Sequence, residues 1–171
     1  MHRLAALPGD PGEGDALLVE QDSLPALVLS HADSDLSLIA QRLSAAGDPA
    51  WMRGLNLAAL SHPAAIDHYI RSSLAATRLV VVRLLGGRGH WSYGLEQLRE
   101  WAAQSPQRAL LVLGGTADGA EELADLSSEP AATALALASC LRHGGPDNID
   151  AVLQWCQNRL AGAAANAPEP Q

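Results

Sequence analysis

An open α/β fold with a mostly parallel sheet is what this sequence predicts, on three observations. Aliphatic runs of strand length alternate with stretches of helical periodicity through the first two thirds of the chain. The strongest run, residues 79–85 (LVVVRLL), is apolar almost throughout and rich in β-branched residues, as in a strand covered on both faces. The runs give way to Gly, Pro, Ser or Asp, the residues that turn a strand into the next helix. With 171 residues, 48% of them hydrophobic and 18% charged, the chain is long enough for one domain with a full core and short for two.

Taken in order, residues 2–7 (HRLAAL) are the first strand, ending at Pro8 and Gly9, and residues 8–15 are a loop by composition. Residues 26–31 (ALVLSH) are the second strand. Asp33 or Ser34 is placed to cap the helix after it, whose apolar face is Leu36, Ile39, Ala40 and Leu43 and whose stop is Gly47. Residues 54–60 (GLNLAAL) form a third, more polar strand nearer an edge. Pro63 then opens a helix with Ile66, Tyr69, Ile70 and Leu74 on one side. The run at 79–85 is followed by a helix over 93–105 and by a further central strand at 109–115 (ALLVLGG). Beyond that only helices are predicted, at 121–126, 130–141 and 148–160, the last two separated by Gly144, Gly145 and Pro146. The expected architecture is flavodoxin-like: an open, mostly parallel sheet with flanking helices and a helical C-terminal part, with ligands at the carboxyl ends of the strands. Residues 1–160 form the α/β head domain, and 161–171, rich in Ala and Pro, read as a linker or fragment end.

Composition excludes several chemistries. All eleven basic residues are arginine, so no lysine exists for a P-loop, a Schiff base or a phosphorelay site. A phosphoacceptor receiver domain would share this fold, but the predicted first strand ends in Leu7-Pro8-Gly9 instead of an acidic pair. No G-x-S-x-G hydrolase elbow is present. The net charge of −8 argues against nucleic acid as a partner. The N-terminus has no signal-peptide pattern and no apolar run is long enough for a bilayer, so a soluble, cytoplasmic protein without a membrane partner is expected. Cys140 and Cys156 lack a Cys-x-x-Cys pattern and read as reduced core thiols.

The informative loops all follow predicted strands: 8–15, 31–35, 61–63, 86–91 and 114–119. In a parallel sheet they share one rim, where His31, His62, Arg88 and His90 are expected to converge. The loop Gly86-Gly87-Arg88-Gly89-His90-Trp91 can offer backbone N–H groups and a guanidinium to a carboxylate or phosphate, although it matches neither G-x-G-x-x-G nor Walker A. It is equally a tight turn in which Trp91 caps the core, and spacing by itself favours the turn. Arg83, inside the aliphatic strand, requires an acidic partner unless it reaches the rim and a ligand. The HADSD stretch at 31–35 has metal-ligand composition, but helix capping is the better account of it. His62 and His68, six apart, are badly spaced for a metal. Asp67 and Arg71 are spaced for a surface ion pair.

Three stretches, RLVVVRLLGGRGHWSYGLEQL, LNLAALSHPAAIDHYI and CLRHGGPDNI, together resemble the N-terminal region of the large subunits of aerobic cobaltochelatase, the CobN family, whose wider group includes the large, tetrapyrrole-binding subunit of magnesium chelatase. The resemblance runs along nearly the whole chain and is most specific in the R-L-L-G-G-R-G-[YH]-W pattern, with His90 where tyrosine is more usual, so no hydroxyl stands there. It implies a share in ATP-dependent insertion of Co²⁺ into hydrogenobyrinic acid a,c-diamide in cobalamin biosynthesis. Separate AAA+ subunits hydrolyse the ATP, and the remaining domains of the large subunit hold macrocycle and metal. By the same resemblance the whole enzyme uses ATP, Mg and Co, whereas no cofactor and no catalytic or metal-ligating residue is assigned to this segment. Arg83, Gly86, Gly87, Arg88, Gly89, His90 and Trp91 are the candidate loop, for binding the macrocycle's side groups or for docking another domain, with His31 and His62 as further rim residues. The readings that need no family are a free-standing module for a small anionic ligand and a purely structural interaction domain.

Overall fold

The structure, a computed structural model, describes residues 3–6, 17–47, 49–163 and 166–171. Its elements are β1 (Arg3–Ala6), β2 (Leu17–Glu20), β3 (Ala26–Ser30), α1 (Asp33–Ala45), β4 (Met52–Asn56), α2 (Pro63–Ser73), β5 (Leu79–Leu84), α3 (Ser92–Ala103), β6 (Ala109–Gly114), α4 (Ala120–Ala124), α5 (Ala131–His143) and α6 (Pro146–Leu160). Four parallel strands form one sheet in the order β4-β3-β5-β6. Counted within that sheet, the order is 2-1-3-4, a flavodoxin-like winding; the sequence predicts the open parallel sheet but not this order.

Every residue of β3, β5 and β6 is buried. Two-residue periodicity divides them between two cores. Ala26, Val28, Leu79, Val81, Leu111 and Leu113 face the layer of α1, α5 and α6. Leu27, Leu29, Val80, Val82, Leu84, Leu110 and Val112 face α2 and α3. A two-residue ion pair, Arg42 to Asp150 with bonds of 2.8 and 2.7 Å, ties α1 to α6. Both cysteines are fully buried and free.

Four expectations need correction. The first predicted strand forms as β1, but it pairs antiparallel with β2, a short strand the sequence does not announce. That hairpin is separate from the parallel sheet, so β1 lends no carboxyl end to the rim, and the loop at 8–15 lies outside the described residues. The third strand stops at Asn56, not at residue 60. The Asn56 Oδ1 accepts from Ala58 N–H at 2.9 Å and bends the chain into a 3-10 turn over Leu57–Leu60. Neither Asp33 nor Ser34 caps α1. The N-cap is Ala32, whose N–H is taken by Ser30 Oγ at 3.0 Å, while the aspartates of the first turn are engaged elsewhere. Asp67 accepts from the Tyr93 hydroxyl at 2.8 Å instead of pairing with Arg71.

The predicted edge position of β4, the burial of β5 on both faces and the helices of the C-terminal part are all present. At the end of the described chain, Gln171 is held by Asn148 through bonds of 2.9 and 3.0 Å, a contact that the composition of the tail does not foretell. Among the described residues no helix is long and apolar enough to cross a membrane.

Candidate functional site

In the order β4-β3-β5-β6, the chain leaves β3 into α1 on one face and leaves β5 into α3 on the other. The connections diverge at this point, where an open parallel sheet usually forms its ligand crevice, outside the carboxyl ends of the two strands. One wall is residues 31–35 after β3, and the other is residues 85–91 after β5.

Under the crevice lies an ion pair. Register places Ser30 beside Arg83, and both face the α1 layer. The Arg83 guanidinium pairs with Asp35 Oδ2, which also accepts from Ser30 Oγ at 3.0 Å. The Arg83 side chain is 9% exposed and that of Asp35 14%, so Arg83 has the acidic partner that its place in an aliphatic strand requires and is a buried structural cation. Its Nε has no partner among the described residues.

Trp91 is also turned inward. It is 6% exposed, and its Nε1–H donates to Leu60 O at 2.9 Å. Its ring lies flat on Gly94 in the first turns of α3, where a β-carbon would sit 2.5 Å from Trp91 Cδ2 and nearer still to Cε2 and Cζ2. This bond joins the 86–91 loop to the turn before α2, so two rim loops are fastened together. The same turn holds His62, whose Nδ1 accepts from Ala64 N–H at 3.1 Å and caps α2. His62 therefore serves its own helix, although it stands on the rim.

The exposed part of the loop is Gly86 to His90. Gly86 has φ +109°, and a β-carbon there would lie 2.9 Å from His90 Nδ1, so glycine is what lets the imidazole fold back over the turn. His90 Nδ1 meets Gly87 O at 3.3 Å; a carbonyl only accepts, so this contact needs a proton on Nδ1. Across the crevice, His31 Nδ1 lies 3.5 Å from Leu85 N–H. Burial, and secondarily the nearby His90, holds the His31 imidazole below its ordinary value, so it is neutral at pH 7. The two histidines thus flank the same short segment. Arg88 points the other way, with its guanidinium 4.0 Å from Glu122 and 59% exposed. It heads a groove of about 520 Å³ beside α3, which also takes in Arg99, Glu96, Glu100 and Leu126. The sequence-predicted cluster is therefore split: His31 and His90 lie near one another about the start of the loop, whereas Arg88 opens onto a neighbouring groove.

Asn56, at the tip of β4, was not singled out by the sequence. Its Nδ2 donates to Asp33 Oδ1 at 2.7 Å and to His31 O at 3.3 Å, bracing the wall of the crevice. A polar residue inside the otherwise apolar run 54–60 was the available signal. Among the described residues no group of three or more His, Cys, Asp or Glu side chains is arranged to hold a metal. The site offers imidazoles, backbone amides and an exposed guanidinium, which suits recognition of polar groups on a bound molecule more than bond-breaking chemistry.

No protein-family model matches the chain. It is 32% identical over 176 residues to the aerobic cobaltochelatase subunit CobN of Pseudomonas aeruginosa, an alignment covering 100% of this chain and 14% of that protein. The corresponding subunit of Sinorhizobium sp. is 31% identical over 176 residues, covering 99% of this chain and 13% of that one. The chain corresponds to an N-terminal region of CobN. The solved catalytic subunit of cobaltochelatase from Mycobacterium tuberculosis shares the fold at a TM-score of 0.63 and 25% identity, over 85% of this chain and 11% of that one. This CobN region thus spans only a small part of the length of the relatives it matches.

Proposed function

We propose that this segment is the N-terminal head domain of a cobaltochelatase large subunit. It contributes to ATP-dependent insertion of cobalt into hydrogenobyrinic acid a,c-diamide and is not a catalyst alone. The observation that carries the reading is the similarity to CobN subunits over the entire chain. In this reading cobalt is substrate, ATP is hydrolysed with Mg by separate AAA+ subunits, and the complex works in the cytoplasm. The macrocycle and metal are held chiefly by the remaining domains of the large subunit. The rim's part is to meet the macrocycle's carboxylate and amide side groups: Arg88 supplies a guanidinium for a carboxylate, and His90 Nε2 accepts from an amide.

The test is a titration of hydrogenobyrinic acid a,c-diamide into the 171-residue chain, read by tryptophan fluorescence. Trp91 lies directly under the loop and reports a contact on Gly86–His90 without touching the ligand itself. Saturable quenching that is lost in Arg88→Ala, with an unchanged circular-dichroism spectrum, supports direct binding. A folded chain with no response would remove macrocycle contact from this domain's role.

A further inference from the structure

The two edges of the parallel sheet are finished differently. On the β6 edge, Ser127 Oγ accepts from Val112 N–H at 2.8 Å and Ser128 Oγ from Leu110 N–H at 2.7 Å, while Ser128 N–H donates to Leu110 O at 2.8 Å. That edge is closed. The β4 edge has no such strap among the described residues; the Gln21 side-chain amide reaches Gly54 O at a long 3.4 Å. An edge strand directs alternate N–H and C=O groups away from its sheet and is a template for a further strand.

Beside this open edge, between β4 and α1, runs an apolar groove of about 410 Å³. Val28, Leu36, Met52 and Leu55 line it, Ala40 and Ser44 stand exposed along its α1 side, and Gly54 leaves its floor without a side chain. Glycine inside a strand commonly marks close approach of another backbone. Leu36 uses part of this space, since a β-carbon at 54 would lie 3.1 Å from Leu36 Cδ2, yet Gly54 itself remains exposed. One charged residue, Asp33, lies at the end of the groove beside Asn56.

We infer that an extended segment from the rest of the large subunit adds to β4 as a further strand. It sets aliphatic side chains into the α1–β4 groove and a basic residue near Asp33. This rests on the reading of the chain as a CobN head domain, because the occupant is drawn from the polypeptide outside it, of which the relatives have a great deal: the chain covers 14% and 13% of their length. A second copy of the chain is a poorer occupant. It would bring the same net charge of −8, and two five-residue strands bury too little to hold two acidic domains together.

The experiment compares amide hydrogen exchange of the 171-residue chain with that of the full-length large subunit. In the full-length protein, exchange at Met52–Asn56 slows by about tenfold or more, while β6 amides, already strapped, change little. Ser44→Cys, carrying a short photocrosslinker in the full-length subunit, captures a peptide from beyond residue 171 of the same polypeptide. Ala40→Arg, an exposed helical change that leaves the fold intact, abolishes the added protection. Equal exchange in the two proteins overturns the inference. So does protection that rises with protein concentration, or protection already complete in the short chain. A reading frame that closes after Gln171 overturns the head-domain reading as well, whereas a continuing frame with an unprotected β4 overturns the docking alone.

Discussion

Replacing Gly94 by alanine sets two well-known effects against each other, and the structure says which prevails. Gly94 lies inside α3, where alanine is the better helix former by about 1 kcal/mol, so propensity alone makes the variant more stable. A β-carbon at this position, however, falls inside the indole of Trp91, a rigid ring that is buried and bonded to Leu60 O. Overpacking of this kind costs about 1–3 kcal/mol. If the ring is displaced, the Trp91–Leu60 hydrogen bond goes with it, for about 1–3 kcal/mol more where the groups stay buried. Against the propensity gain, Gly94→Ala is expected to lose about 3 kcal/mol. With a urea dependence of about 2–3 kcal/mol per molar, the unfolding midpoint followed by circular dichroism falls by about 1 M or more. The double variant supplies the control. Trp91→Ala is itself destabilising, but in that background the alanine at 94 meets no ring and becomes neutral or slightly stabilising, so the two changes are strongly non-additive. A midpoint for Gly94→Ala equal to or above that of the parent chain would refute the argument that Trp91 is locked onto this glycine.

Two further outcomes follow from the crevice. Asp35→Ala leaves the Arg83 guanidinium buried without its carboxylate and is expected to cost about 3 kcal/mol or more in urea unfolding, with much of it regained in Arg83→Leu/Asp35→Leu; a loss under about 1 kcal/mol would place the pair with ordinary surface bridges. The His31 midpoint, read from its ring proton by NMR, is expected below the ordinary 6.5, first from burial and then from His90. The folded state therefore binds the proton less readily than the unfolded one. The His31 contribution to stability is complete above 6.5, declines as pH falls from 6.5 to the folded midpoint, and is constant below it. In His90→Ala the midpoint rises but stays under 6.5, because burial is the larger cause; a midpoint above 6.5 in the parent chain contradicts this picture.

The sequence was readable where chemistry is local. The LVVVRLL run needs no partner to declare a strand covered on both faces, and Pro63 marks the start of α2 wherever that helix packs. Even the face of Arg83 follows from counting by two from Leu79 and Val81. What it pairs with does not, since Asp35 lies 48 residues away and both aspartates of that turn look like helix caps. Asp33 and Ser34 fail as caps because Ser30 Oγ and the Asn56 amide, arriving from elsewhere, claim the polar groups around the turn. The short strand β2 carries no alternation of its own and exists by pairing with β1 and packing on α2.

By itself, then, the sequence determined the class of fold, the elements of the parallel layer, the absence of lysine chemistry and the glycine-arginine turn that marks its kinship. Strand order was decided only by tertiary structure. Aliphatic strands are nearly interchangeable in composition, and their order comes from how helices of fixed length and face cover both sides of the sheet. That order sets β3 beside β5, and so brings His31 against the 86–90 turn while sending Arg88 toward Glu122. Trp91 faces inward as the tight-turn reading of its loop expects; what the fold alone supplies is its neighbours there, Gly94 against the ring and Leu60 O for its Nε1–H.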